Sequence, residues 1–595
     1  MKKLICFFLV LSYHNLSQAS IYYVNLNATG SNDGSSWENA FTFLPDALTA
    51  ATVGDEVWVA QGTYFPSQVN NESDEFLMSA GVAIYGGFNG TETELTQRDW
   101  VTNTTRLSGE IGDATAADNS TWVVLASNAG SNCRLDGFTI LGGHNWETYD
   151  YGAGLKIINS SPTIANCIFT ANASDYGGAA IGIDGGLLTL DKCQFIDNTS
   201  DFGSCLWIQE GTVYINDCVF KENTSVVSGA CIYADNGLAR IDRCVFTNNY
   251  SQSQCSVMNF GDNGKMMMYN SLIAGNYAVN GRTIAMSTLD NSQNHEIINC
   301  TIANNSSQVD YFSVIVTANT KIANSIVWGN DAGSTGSQII NLTTQVYNSY
   351  VQNGLTYNGN PVPGAINTNP QLINPGPTSA APFDAADYNY RLPLLSPAVN
   401  AGSNANAANA GSFDLLMNDR IQGGTVDAGA YEFNSCNLEI AIVPNGPTSF
   451  CPGENVVLTA SGAESFEWQN NGSTSESITA TSSGIYEVIG ITGDSCIGSA
   501  QITVTALNAS VNITGNDVFC DDFFTTLTAN GTNNTSYSWS DGQSGNTALV
   551  NTPGWIVVTA VANNGCVSQD SILISIGSNP NPTIFQSGTN LTTGG

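Results

Sequence analysis

The feature that most constrains this chain is a repeat. "ANCIFTANAS" (165–174) returns as "DKCQFIDNTS", "NDCVFKENTS" and "DRCVFTNNYS". Cys167, Cys193, Cys218 and Cys244 are spaced 26, 25 and 26 residues apart, and the slot continues as Ser271, Cys300, Ser325 and Ser349. Three residues before each anchor stands an apolar residue: Ile164, Leu190, Ile215, Ile241, Met268, Ile297, Ile322, Val346. Two residues after stands another: Phe169, Phe195, Phe220, Phe246, Ile273, Ile302, Val327, Val351. Five after is Asn172, Asn198, Asn223, Asn249, Asn276, Asn305 or Asn330. An earlier rung, "RLDGFTILGG" (134–143), keeps Leu135, Phe138 and Ile140 but has Gly143 in place of the Asn.

A period near 25 with short β-rich segments and Gly/Asn/Asp turns predicts a parallel β-helix. One coil cannot bury its inner face alone, so coils stack and share a core. Crossover chirality favours right-handed winding. Equivalent residues then stack about 4.8 Å apart, so four stacked Cys span about 14 Å. They cannot converge on one zinc ion, which needs sulfurs about 2.3 Å away. Small buried thiols filling the core are the leading reading. Disulfides between adjacent rungs stay open, because Cα atoms about 5 Å apart can be bridged. The Asn column reads as an amide ladder. Cys205, Cys231 and Cys255 form a second, similar column.

The chain opens "MKKLICFFLVLSYHNLSQAS". Lys2 and Lys3, an apolar run and a small-x-small site at Ser17–Ala19 predict a secretory signal peptide over 1–19, too short to span a membrane. No later run is long and apolar enough to cross, so no membrane insertion is expected. The expected location is secreted or cell-surface, under oxidising conditions. Net charge is −35, or −37 once Lys2 and Lys3 are removed. Such a surface repels nucleic acid and attracts divalent cations.

Before the repeat come "IYYVNLNATGSNDGSSWENAFTFLPDALTAATVGDEVWVAQGTYFP" (21–66), "VAIYGGFNGTETELTQRDW" and "TRLSGEIGD". A short amphipathic helix near 40–51 would cover the open end of the solenoid. After the repeat come "NPQLINP", "DYNYRLPLLSPAVNAGS" and "DRIQGGTVDAGAYEF". This ordered set resembles the secreted right-handed β-helix proteins of the choice-of-anchor Q type, related in fold to the pectate lyases. The resemblance covers about 21–433 and implies fold and export, but no reaction, since the fold hosts lyases, hydrolases, adhesins and inert spacers.

Beyond 433 a period near 70 sets in. Cys451 corresponds to Cys520, Trp468 to Trp539, Gly484 to Gly554 and Cys496 to Cys566. Alternating apolar strands with frequent turns predict tandem β-sandwiches. One early and one late Cys per repeat predict the disulfides Cys451–Cys496 and Cys520–Cys566, each worth about 2–5 kcal/mol. The repeats resemble PKD-like or Ig-like domains of proteins exported by the type IX system of gliding bacteria, which implies that route. Cys436 has no obvious mate. The expected organisation is an all-β chain. It has a signal peptide (1–19), a cap with first coils (20–130), regular coils (131–360) and the C-terminal part of the β-helix region (361–433). Two sandwiches (434–507 and 508–578) and the start of a third module (579–595) follow.

For binding, the main anomaly is "GGHNWETYDYGAG" (142–154). Against "ANASDYGGA" it carries four extra residues between Gly143 and Asp150, and insertions into a repeat map to loops that often bind. His144, Trp146, Glu147, Tyr149, Asp150 and Tyr151 are the candidate ligand set, with Tyr176 and Phe202 extending an aromatic column beside Tyr151. Aromatic faces suit sugars and carboxylates suit hydroxyls; the alternative is that these rings pack down over the core. An acidic column, Asp184, Glu210, Asp235 and Asp262, is the candidate calcium site, against a plain Asp-x-Gly turn. Asp175 and Asp201 form a shorter column with the same two readings. Basic residues on the rungs are few, and no catalytic motif assembles. No cofactor is required by this reading, and calcium is the candidate ion. The expected function is a monomeric shaft that binds polysaccharide or cell-surface glycan, adhesin-like, with sandwich spacers. The alternative is a polysaccharide lyase or glycoside hydrolase working on the helix flank.

Overall fold

The computed structural model describes residues 19–577, except 113–117, 262, 287–293, 309–314, 318, 332–337, 342–343, 358–359, 378–380, 434–437, 452, 493–496, 508, 521–522 and 564. Beyond 577 it gives only the course of two strands, Thr583–Ser587 and Asn590–Gly594. The stretch up to Gln18, where a signal peptide is expected, lies outside the described residues. The chain divides into two units, 1–433 and 434–595.

The first unit is a parallel β-helix. A typical coil runs through four short strands: Leu155–Ile158 (row a), Thr163–Ala165 (row b), Ile168–Thr170 (row c) and Ala173–Gly177 (row d). Each pairs in parallel with its equivalent one coil on. The pairing keeps the register read from the repeat. Ile164 lies opposite Leu190, Leu190 opposite Ile215, and Phe169 opposite Phe195. Phe169, Phe195, Phe220 and Phe246 stack with centroids 5.2, 4.7 and 4.5 Å apart. These columns form one continuous core. The helix Leu44–Ala50 lays Leu44, Ala47 and Leu48 on that core.

The Asn column is a continuous ladder. Asn172 Nδ2 donates to Asn198 Oδ1 at 3.1 Å, Asn198 to Asn223 at 3.0 Å, and Asn223 to Asn249 at 3.0 Å. It continues through Asn276 and Asn305 to Asn330, which donates to Gln338 Oε1 at 2.9 Å. Each Oδ1 also accepts a backbone N–H from the preceding rung, as Asn223 Oδ1 does from Asn198 N at 3.1 Å. Every amide is thus saturated in a buried turn, where an unmet donor or acceptor would cost about 1–3 kcal/mol.

The cysteines of the column are buried free thiols. Their S–H groups donate to the carbonyl two residues back, as Cys218 does to Asn216 at 3.2 Å and Cys300 to Ile298 at 3.3 Å. Ser271, Ser325 and Ser349 make the same bond at 2.6, 2.8 and 2.9 Å. The slot therefore selects a small buried donor, which explains the exchange of Cys and Ser. Burial pushes the Cys300 thiol up to about 12, so these groups stay protonated and unreactive.

Two turns per rung were invisible as columns in the sequence. The residue before each anchor, such as Asn166, Lys192, Asp217 and Arg243, has φ between 50° and 53°. The residue before each ladder Asn, such as Ala171, Asp197 and Glu222, has φ of 52°, 56° and 61°. Left-handed corners favour Asn, Asp and Gly, and the ladder and core hold Lys192, Ala171 and Glu222 there despite that preference.

From the described part of 361–433, Ala365–Ile366 joins row c, and Pro361 closes a small hairpin with Thr356. The rest forms an irregular strap on the outer side of row c, where Leu272, Ala274 and Ala303 pack with Ala385 and Tyr390. This accounts for the change on that outer column from Gln194 and Lys221 to Leu272 and Ala274. Lys221 Nζ holds Asp384 at 2.7 Å. The "DRIQGGTVDAGAYEF" motif knots the strap. Arg420 is 2% exposed, with Nε 3.2 Å from Glu432 Oε1, and Glu432 accepts the Asp427 N–H at 3.0 Å.

The second unit holds two like domains. In each, a three-stranded and a four-stranded sheet enclose a small core. Trp468 and Trp539 are buried at equivalent places, with Nε1 donating to Ser475 O at 3.0 Å and Gly545 O at 2.9 Å. The expected disulfides are corrected here: Cys451 is bonded to Cys566, across the two domains, and Cys520 is free and exposed. The reason is strand direction. Cys451 follows Phe450, which pairs with Ala506 at the end of Ile497–Ala506. Ile497, at the start of that strand, stands about 30 Å from Ala506 at about 3.3 Å per residue; Cys496 lies outside the described residues. Likewise Cys520 pairs with Gly577 while Cys566 precedes Val567, the opposite end of Val567–Gly577. No helix among the described residues is long and apolar enough to cross a membrane.

Two tests follow from the ladder and the core. Asn223→Ala strips one acceptor from two buried donors and should cost about 3 kcal/mol in urea unfolding. His295 is 3% exposed and accepts the Met266 N–H through Nδ1 at 3.2 Å. Burial, aided by Lys265, lowers its pKa to about 4. The unfolded chain therefore binds the proton first, and stability falls as pH drops from about 6.5 towards 4, by about 3 kcal/mol in all. His295→Gln should flatten that part of a pH–stability curve.

Candidate functional site

The inserted loop sits where row d turns into row a. His144 lies opposite Ala173, and Asn145 opposite Ser174. The chain leaves the rung there and returns at Tyr151, which bridges to Gly177. His144 to Tyr151 is seven steps and Ala173 to Gly177 is four, so the insertion is three residues rather than four. Tyr151 is accordingly opposite Gly177, which is itself opposite Phe202 across a register shift, so Tyr151 and Phe202 share a column and Tyr176 lies one residue out of it.

A buried asparagine shapes the loop. Asn145 Oδ1 accepts the Glu147 N–H at 3.0 Å, and its Nδ2 donates to Asp150 Oδ2 and Gly152 O, both at 3.0 Å. Lys156, 5% exposed, reaches out of row a to Asp150 Oδ1 at 2.6 Å and Tyr151 O at 2.9 Å. Its ammonium also lies 3.5 Å from the Tyr151 ring centroid. Burial works to raise the Asp150 carboxyl, but the Lys156 contact outweighs it and holds Asp150 below its ordinary value. Burial pulls Lys156 down, with Asp150 opposing.

The six candidate residues divide into support and surface. His144 is 9% exposed and carries Trp146 flat on its ring, centroids 3.5 Å apart. Its Nε2 is 3.7 Å from Asp175 Oδ1, and burial lowers its pKa against the pull of Asp175. Asp150 and Tyr151 are half-buried anchors. Trp146 is 48% and Tyr149 77% exposed, and Glu147 is exposed beside them. Tyr149 has φ of 70° and meets Tyr176 edge to face at 5.5 Å. Beneath them Trp207, 2% exposed, lies between Tyr151 at 5.9 Å and Tyr233 at 4.6 Å. Gly177 makes room for it, since a Cβ there would stand 2.5 Å from the indole. The two exposed rings thus stand on a clamped loop, and the open carboxylate of Asp175, its side chain 57% exposed, lies beside the His144 that carries Trp146.

Sequence reading missed Asn145, Lys156, Gly177 and Trp207. Lys156 carried a signal, as the one cation in the apolar run "GLKII", six residues after Asp150. Gly177 and Trp207 carried none, because their contact joins different rows of neighbouring coils.

The acidic column divides differently. Asp184 lies opposite Glu210, and Tyr151 and Tyr233 lie against Asp184 and Asp235 respectively. Asp262 lies outside the described residues. Among the described residues no three His, Cys, Asp or Glu side chains converge as a metal site requires, and Ca²⁺ wants six to eight oxygens. The turn geometry is present at Gly186, with φ of 92° and Ser160 O 2.0 Å from where a Cβ would be.

Comparison with protein families agrees with the architecture of the first unit. The family described as the right handed beta helix region matches residues 102–273. Among solved structures, pectate lyase Pel9A is similar at 14% identity, covering 71% of this chain and 98% of its own, with a TM-score of 0.45. The pectin methylesterase from Aspergillus niger matches at 16% identity, 59% and 87% coverage and a TM-score of 0.22. The SGBP-B protein of a Bacteroides ovatus mixed-linkage glucan utilization locus, in complex with a mixed-linkage heptasaccharide, matches at 16% identity, 24% and 45% coverage and a TM-score of 0.10. No curated protein sequence matches the chain.

The clamp is testable. Lys156→Met leaves the Asp150 carboxylate unpaired and should destabilise the protein by about 3 kcal/mol. Hydrogen exchange at Glu147–Asp150 should quicken by about tenfold or more, and Lys156→Met/Asp150→Leu should recover most of the stability. The chain carries a right-handed parallel β-helix followed by small β-sheet domains.

Proposed function

We propose that this is an exported glycan-binding protein, in which sugar rings stack on Trp146 and Tyr149 and their hydroxyls bond to Asp175 and Glu147. The observation that carries this reading is the exposure of both rings on a loop held from below by Asn145, Lys156 and His144. Rings that merely covered the core would be buried, as Trp207 is. A rigid aromatic face beside open carboxylates suits a ligand with one apolar and one hydroxylated side, and a preformed loop lowers the ordering penalty of binding. Export rests on the leader-like opening of the sequence. The small β-sheet domains serve as spacers.

One observation favours a second reading, a glycoside hydrolase on the same flank. Asp175 and Asp201 stand on neighbouring rungs, and burial, then the Asp175 charge, raises the Asp201 carboxyl. A carboxyl of raised pKa beside a second carboxyl is the pattern of an acid and its partner.

A glycan array followed by calorimetry on the full chain tests both. Binding should weaken about tenfold, or 1.4 kcal/mol, in Trp146→Ala and again in Tyr149→Ala. Binding indifferent to both substitutions, or none to any polysaccharide, would sink the first reading. Release of reducing sugar that Asp201→Asn abolishes would establish the second.

A further inference from the structure

We infer that Cys520 is the attachment point for a further β-sandwich module, joined by the same cross-link that ties the first small domain to the second. The two domains are structural repeats, and Cys520 occupies the place of Cys451. In the first domain, Cys451 lies beside the strand end through which the chain leaves: Phe450 pairs with Ala506, and the Leu507 N–H donates to Phe450 O at 2.9 Å. Its partner, Cys566, lies where the chain enters the second domain. The Cys566 carbonyl accepts the Ala562 N–H at 2.8 Å in the last hairpin, Asn534 pairs with Ala562, and Asn534 Nδ2 donates to Ser510 O at 2.9 Å. The bond therefore joins the exit pole of one domain to the entry pole of the next, with Cα atoms 5.3 Å apart.

Cys520 repeats this placement. It pairs with Gly577, the residue on which the last strand of the second domain ends, so it too stands beside the chain's exit. It is free and exposed. A second observation points to an occupant. Around it the exit pole displays Val518, Phe523, Phe524 and Ile576, exposed by 46, 67, 62 and 44%. Exposed apolar side chains gathered in this way mark an interaction surface. The occupant is a module of the same kind, presenting the cysteine of its last hairpin as Cys566 does. Closure is a two-electron oxidation. With oxidised glutathione as acceptor, one protein thiolate displaces one glutathione thiolate to form a mixed disulfide. The second protein thiolate displaces the other, leaving one protein S–S bond and two reduced glutathiones.

The test extends the full chain after residue 578 with a second copy of residues 508–578, folded in a glutathione redox buffer. Iodoacetamide labelling and non-reduced peptide mapping then follow Cys520. In the unextended chain Cys520 should label fully. In the extended chain its labelling should fall at least tenfold, with a peptide linking it to the added copy's counterpart of Cys566. Cys520→Ser should leave that counterpart free to label. Full labelling of Cys520 in an extended chain that carries the Cys451–Cys566 bridge, which reports correct folding, would overturn the inference.

Discussion

The first unit depends on the amide ladder. A parallel solenoid has to turn its chain several times per coil, and each turn brings polar backbone into an apolar interior. The ladder meets that demand with one residue per coil. Each Asn accepts a backbone N–H and an amide N–H from one neighbour and donates to the next, so no rung is satisfied unless its neighbours are in register. A slip by one residue would also turn Phe195 or Phe220 outward. The ladder and the phenylalanine stack therefore enforce the same register from opposite sides of row c.

The inserted loop follows from where the ladder begins. Gly143 has no side chain to contribute, yet its N–H still donates to Asn172 Oδ1 at 3.1 Å. The coil that starts there is held on one side only. It carries the excursion between His144 and Tyr151. The excursion then needs its own fastening, and Asn145 and Lys156 supply it. That a buried lysine is kept for the purpose is physically costly, which argues that the geometry of Trp146 and Tyr149 matters more than the stability of the coil.

The repeat made the core columns, the ladder and the capping helix legible, because each is a local pattern copied along the chain. The site was legible as an anomaly in that pattern, but not as a geometry. Placing Tyr151 against Gly177 required the bridge after the loop, and a comparison of strings misplaced it by one residue. Trp207 beneath the loop belongs to the coil after next, and nothing in a one-dimensional reading joins it to Tyr151. The left-handed corners were hidden for another reason. Lys192, Arg243 and Glu222 do not look like turn residues, and only the pull of ladder and core keeps them there.

The cysteines of the small domains show what a repeat can and cannot reveal. Register says which residues are equivalent; it does not say which are adjacent. In the β-helix the two coincide, since equivalent residues stack on one another. In tandem sandwiches they separate. Equivalent cysteines occupy the same pole of successive domains, while neighbours across a junction are non-equivalent, early with late. Cys451 and Cys566 meet because the chain leaves one domain beside the first and enters the next beside the second. The strand directions that forbid a bridge between Cys520 and Cys566, by placing them at opposite ends of Val567–Gly577, make a bridge between domains the natural product of oxidation.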